Sequence, residues 1–438
     1  MEKGSKLFKV SALTAAMFGV LALPVQANEA SSAGPGYVEA VNEFIDGAAV
    51  SGLAVIDHRY RQKDTGDGYA AGQDYTDYNL ALNFTSGFHD GWLGADLSGY
   101  FSGTLAHDTG CSEITLCDGW DRSDGQLKVT TAALKFKTGE ATSKLGYIQS
   151  HGIGTIGNVW SFVPGTYRGA SVVAPVGDWK IGYVIADQYT APWWESVQKS
   201  SKDEDTKELN GKSAFKYLHS LGLSGNVNDD LTINAGIGHA DLKVDNGGSE
   251  SNLSYRFYTR YQISDASSIA YDIYAVDSDV DYDGFGITQG ISYAHDFDVV
   301  QWNSEIRYVS SDNDKSVAPR TVGPYGSNNG TFSQWWDALS DWDRSGQLSW
   351  FNRASRTFDS GWMMGAGLVL STVDKNDVNT WDGEYAINAD IGYSVPDGAL
   401  KGSTIKLHLT HVERDMTDNS DFSWQDLRFQ VFVPYNFL

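Results

Sequence analysis

From residue 50 to the C-terminus the chain alternates apolar and polar side chains in short runs. Leu231, Ile233, Ala235 and Ile237 share one face while Thr232, Asn234 and Gly236 share the other; Trp179, Ile181, Tyr183 and Ile185 form a similar stripe. A period of two is the signature of a strand with two unlike surroundings. Such runs fall near 50–61, 76–86, 91–102, 127–138, 142–150, 167–175, 179–187, 214–225, 230–241, 252–262, 267–276, 286–295, 299–309, 346–357, 361–372, 384–393, 403–412 and 427–438. The gaps alternate too. Short joins rich in Gly, Asp, Asn or Ser, such as 87–91, 138–141, 176–178 and 226–229, are followed by long ones such as 103–126, 151–166, 188–213 and 310–345. A transmembrane barrel imposes this rhythm, because short periplasmic turns and longer external loops join its tilted strands. The expected fold is all-β: a transmembrane antiparallel β-barrel of about eighteen strands.

The ends support this division. Lys3, Lys6 and Lys9 precede the apolar stretch Val10 to Leu23, and Val25-Gln26-Ala27 has small residues where a leader is cut, so 1–27 is expected to be a signal peptide. Residues 28–49 are expected to be an N-terminal periplasmic segment, and 50–438 the barrel. In the last run Leu427, Phe429, Val431, Val433, Tyr435 and Phe437 alternate with Arg428, Gln430 and Asn436. That is one amphipathic strand ending on an aromatic ring beside Leu438. No later segment has the roughly 18 to 20 continuous apolar residues of a membrane helix. The chain is therefore expected in a bacterial outer membrane, among its lipid and lipopolysaccharide.

Composition narrows the functions. The formal net charge is −24, which disfavours nucleic acid as a partner. The two cysteines, Cys111 and Cys117, share one polar stretch; in an exported chain that spacing reads as a disulfide closing a small loop, with a metal pair as the rival reading. No H-E-x-x-H or G-x-S-x-G pattern occurs, and no cofactor or resident metal is expected. Asp277, Asp279, Asp281, Asp283 and Gly284 resemble the start of a calcium loop, but the twelfth position is Gly290 and strands flank the run. It reads as an acidic loop, with incidental cation binding left open.

Candidate chemistry gathers in the long loops and on the polar strand faces. Trp160, Phe162, Tyr167 and Arg168 lie in the third long loop and the strand start after it, Trp193 and Trp194 in the fourth, and Trp335, Trp336, Asp337, Trp342 and Asp343 in the seventh. Aromatic faces beside carboxylates suit a sugar ring, whose C–H face stacks while its hydroxyls are hydrogen-bonded. The alternative is an interfacial aromatic girdle. Arg256 and Arg260 alternate with Tyr255, Phe257 and Tyr261, while Lys135 and Arg307 also interrupt apolar stripes. On the lipid face each charge would cost roughly 2–4 kcal/mol near the midplane, so these four are assigned to the channel wall. There they either set a transverse field or brace the wall as salt bridges.

Several of these segments carry a resemblance. Gly146-Tyr147-Ile148-Gln149, the run Trp160 to Gly169, Tyr189-Thr190-Ala191-Pro192-Trp193, Tyr217-Leu218-His219-Ser220-Leu221-Gly222, Tyr282-Asp283-Gly284, Ser327-Asn328-Asn329-Gly330 and Trp335-Trp336-Asp337 follow one another in the order seen in OprD-type substrate-specific outer-membrane porins. Within that type the chain most resembles the chitoporins. The resemblance implies an eighteen-stranded monomer with an inward-folded third loop, a basic ladder on the wall, and facilitated diffusion of chitooligosaccharides or other small hydrophilic solutes. OprD-type relatives that take basic amino acids or small carboxylates supply the alternative. A barrel-embedded hydrolase, with Ser, His and Asp from different strands, is a minor one.

Overall fold

The computed structural model describes residues 43–64, 69–109, 126–156, 164–190, 198–199, 208–209, 212–213, 215–243, 249–317, 342–374, 381–418 and 421–436. Eighteen long strands form the wall: β1 Ala49–Asp64, β2 Tyr69–Thr85, β3 Leu93–Thr109, β4 Gln126–Thr138, β5 Ala141–Ile148, β6 Thr166–Val176, β7 Trp179–Thr190, β8 Phe215–Asn226 and β9 Leu231–Lys243. The second half comprises β10 Ser249–Ser264, β11 Ser267–Ser278, β12 Gly284–Asp296, β13 Gln301–Ser311, β14 Gln347–Thr357, β15 Trp362–Val373, β16 Trp381–Ser394, β17 Thr404–Met416 and β18 Asp421–Asn436. Each pairs antiparallel with its sequence neighbours. β18 returns to β1, with Ser51 opposite Asn436 and Asp64 opposite Ser423, so the sheet closes on itself. Closure leaves no strand edge in the hydrocarbon, where an unpaired backbone group is costly. Among the described residues no helix is long and apolar enough to cross a membrane.

Alternation assigns the two faces. Leu221, Ile237, Tyr255, Phe257, Ile291, Ile306, Leu370, Ile387 and Leu409 are large, apolar and exposed on the outside of the barrel, where lipid covers them. The intervening residues point inward, and many are charged yet buried, including Asp57, Arg59, Asp96, Lys135, Arg307, Glu384, His408 and Asp426. Tight turns lie at one end. Between β2 and β3, Gly87 N–H donates to the Phe44 carbonyl at 2.7 Å, and Glu43 accepts from Asp90 N–H at 2.8 Å and meets His89 Nδ1 at 2.5 Å. These bonds hold the N-terminal segment under the barrel. Glu43 lies outside the spanning strands, and the Asp90 amide followed by the His89 ring keeps its carboxyl below the usual range.

The acidic run is folded rather than open. β11 ends at Ser278, whose hydroxyl accepts from Asp281 N–H at 3.0 Å and caps a single turn, Asp279–Tyr282. The Asp281 carboxylate accepts from Asn252 at 2.8 Å, and its carbonyl accepts from Asn313 at 2.9 Å. Tyr282 packs under the turn with Tyr274, Val276, Val309 and Val317. Asp281 is thus tied to β10 through its carboxylate and to the seventh loop through its carbonyl.

Candidate lumenal site

Two walls face the solute path. On the first, residues 150–156 after β5 turn inward and lie along β7, β8 and β9. Thr155 N–H donates to Ser220 Oγ at 2.8 Å, and His151 Nε2 lies 3.5 Å from the Tyr183 carbonyl. The backbone of Gly154 crosses the wall over two glycines. A Cβ on Gly222 would sit 2.4 Å from the Gly154 nitrogen, and one on Gly236 would sit 2.5 Å from the Gly154 Cα. Ile156 then anchors the segment among Ile148, Tyr167, Tyr189, Phe215 and Leu218. The described start of the third loop, residues 150–156, is folded inward as its resemblance implied, and glycines in register on adjacent strands are what admit it.

The second wall is charged and internally paired. On β10 and β11, Arg256 Nε lies 3.7 Å from Asp272; on β13, Arg307 donates to Glu305 at 3.3 Å, with Asp272 and Asp343 adding negative field around it. Arg260 is exposed and donates to the neutral side chain of Gln262 at 3.1 Å. Further round, Arg353 on β14 reaches Asp390 on β16 at 2.7 Å, a carboxylate also bonded to His408 at 2.7 Å. Arg414 pairs with Glu384. At the closing seam Asp426 on β18 accepts from Arg59 and Arg61 on β1, the latter at 3.1 Å, and from Arg428 at 3.3 Å.

The sequence candidates separate on this frame. Arg256, Arg260 and Arg307 share the lumenal face of β10 and β13. Lys135 is also inward, but it is 5% exposed near the turn-bearing end, donating to the Ser86 carbonyl at 2.7 Å and paired with Asp96 at 3.1 Å, so it braces the wall. Tyr167 is buried against Tyr189, ring centroids 4.8 Å apart. Arg168 is the next residue along β6 and therefore points outward, pairing with Asp187; that takes it away from the solute path. Trp342, at 2% exposure, packs with Phe351, Val369, Ala386 and Val412, which leaves no open ring face in this arrangement. Asp343 is held through its carbonyl by Val317 N–H at 2.9 Å. Trp160, Phe162, Trp193, Trp194, Trp335, Trp336, Asp337, Cys111 and Cys117 lie outside the described residues.

Sequence reading missed the larger cationic set: Arg59, Arg61, Arg353, Arg414 and Arg428, with their carboxylates. The same signal was present, since His58-Arg59-Tyr60-Arg61 alternates as Arg256 and Arg260 do. Pairing across strands needs register, and register is fixed only in three dimensions.

A closed barrel with an apolar outer band, a polar and charged lumen, and loops folded into that lumen defines an outer-membrane porin. The comparisons agree on a channel that is not an enzyme. No family model matches the chain. It is similar to chitoporin of Escherichia coli, 27% identical over 99% of this chain and 98% of that protein. Among solved structures it resembles Pseudomonas aeruginosa OpdK with vanillate, TM-score 0.69 at 16% identity over 90% of this chain and all of that one. Acinetobacter baumannii OccAB2 gives 0.71 at 14% identity over the same shares. The fold is thus that of the OprD-type channels, and the sequence similarity points within it to chitoporin.

Proposed function

We propose that this porin carries chitooligosaccharides into the periplasm by facilitated diffusion. The observation that supports the reading best is the end-to-end similarity to chitoporin. The lumen is compatible with it: Arg256, Arg307, Arg353 and Arg414 are each matched by a wall carboxylate, while Arg260 bonds the neutral Gln262, so a neutral, hydroxyl-rich solute meets both donors and acceptors. The doubled tryptophans Trp193-Trp194 and Trp335-Trp336 are the proposed stacking residues, with Asp337 as a polar partner. No cofactor takes part.

Single-channel recording in a planar bilayer tests this. The expected result is an ion-conducting channel blocked by chitooligosaccharides. Block by arginine or benzoate with no response to chitosugars would assign the protein to the carriers of basic amino acids or small carboxylates. Replacing Trp335 or Trp336 by alanine should weaken sugar block by roughly 1–3 kcal/mol, on the analogy of a lost base–aromatic stack. Unchanged affinity with poorer membrane insertion would make them girdle residues.

A further inference from the structure

Beside the place where Gly154 crosses Gly236, one row toward the turn-bearing end of the barrel, the lumenal wall sinks. Ala270 on β11 and Ser292 on β12 are small, whereas Tyr258 and Arg260 on β10 and Glu305 on β13 are large. Register sets them side by side: Tyr258 opposite Asp272, Arg260 opposite Ala270, and Ser292 opposite Glu305. The resulting depression has a volume of about 340 Å³, inside the roughly 300–1,000 Å³ range of small-molecule sites. A smaller void that shares Tyr258, Ser292 and Glu305 extends it to Asp272.

Asp272 is the unusual group. Both its carboxylate oxygens are buried, and neither accepts a hydrogen bond from any described residue; Arg256 Nε stands 3.7 Å away. A sheltered acceptor without a donor is unfavourable, and the adjoining void of about 30 Å³ admits a single hydroxyl or N–H of a solute lodged in the depression, which would relieve it. Charge then selects the solute. Arg256 and Arg307 are already offset by Asp272 and Glu305, so although Arg260 at the rim has only the neutral Gln262 as its partner, a carboxylate that entered as far as Asp272 would lie against two wall carboxylates. A neutral donor-rich group has no such opponent.

We propose that this depression is a subsite for one neutral, hydroxyl-rich ring of a passing oligosaccharide, held by donation to Asp272 and Glu305 and by the Tyr258 hydroxyl. It deepens the proposed function and rests on it for the identity of the sugar. Its place beside the inward loop means that a ring leaving the narrowing meets these residues next.

The test is block of the parent channel by chitotriose, maltotriose and benzoate, repeated with Tyr258→Phe, Asp272→Asn and Ser292→Leu. Insertion is checked by heat-modifiable gel mobility, and open-channel conductance serves as the reference. Ser292→Leu fills the depression without touching a charge, and Tyr258→Phe removes one hydroxyl, so the test survives if Asp272→Asn fails to insert. The expected result is chitotriose block weakened about tenfold in Asp272→Asn, the loss typical of a hydrogen bond to a charged group, and weakened measurably in Tyr258→Phe and Ser292→Leu. If chitotriose blocks the parent and every inserted variant equally, the subsite is overturned while the chitosugar reading stands. If only maltotriose blocks, and the variants weaken it, the subsite stands and the chitosugar reading falls. Variant-sensitive block by benzoate alone would mean the depression takes anions, and would overturn the proposal.

Discussion

At Gly222 the absence of a side chain lets the inward segment lie against the wall. The Gly154 backbone occupies the space a Cβ would need, so Gly222→Val must displace loop 3 or strain the wall; overpacking of this kind costs about 1–3 kcal/mol. Loop 3 is the softer partner. The added side chain pushes that segment off the wall and into the lumen, so single-channel conductance should fall in Gly222→Val, and a value equal to the parent would mean the loop re-seats elsewhere. Charge is graded residue by residue in the same way. Arg260 has a neutral partner in Gln262, whereas Arg256 lies against Asp272. Arg260→Gln should shift the reversal potential toward cations at low salt, with the shift shrinking as the screening length falls toward about 8 Å at physiological ionic strength. An equal shift from Arg256→Gln would show that the Asp272 pairing does not offset that charge. Under the barrel, Glu43 has its carboxyl held below the ordinary range by Asp90 and His89. A folded value lower than the unfolded one means that the tether contributes stability above the unfolded value of about 4.3, and loses it as pH falls through the lower folded value. Hydrogen-exchange protection at the Gly87 amide should follow that course in the parent. In Glu43→Gln it should be weaker at neutral pH and lack the acid transition.

Strands were legible because lipid on one side and water on the other leave a period of two in the sequence. The run expected at 252–262 is Ser249–Ser264, and that expected at 91–102 is Leu93–Thr109. The excess lies mainly at the long-loop end, where the hydrogen-bond ladder continues past the apolar band and alternation no longer marks it. The candidate site was less legible for a related reason. Residues such as Arg256 and Arg59 show their facing in the sequence, but their partners Asp272 and Asp426 sit on other strands, set by register alone. The glycine track is the clearest case: Gly222 and Gly236 look like ordinary strand glycines until β8 and β9 are laid side by side. One element-scale bond can be tested directly. Asp426 is almost fully buried among Arg59, Arg61 and Arg428, so Asp426→Asn removes the one charge that all three guanidinium groups pair with at this seam. Breaking a buried pair from one side costs about 3–5 kcal/mol. The urea midpoint of the barrel in vesicles should drop accordingly, and an unchanged midpoint would show that water already solvates the cluster.

For the whole molecule, the negative formal charge is a poor guide to what passes through. Cations and carboxylates in the lumen are interleaved across adjacent strands, and the passing solute is within a few ångströms of them, closer than the excess acidic groups elsewhere on the chain. Selectivity should therefore track the wall variants rather than the net charge. The seam between β1 and β18 has a different consequence, one of timing. Arg59 and Asp426 are separated by 367 positions, so the bond that fastens the cylinder can form only after the last strand has been delivered. Until then β1 presents a row of unpaired amides and carbonyls that hydrocarbon cannot satisfy. Assembly of this porin must thus shelter its first strand while the rest is made, and a chain cut before residue 421 should remain an insertion intermediate, never a smaller pore.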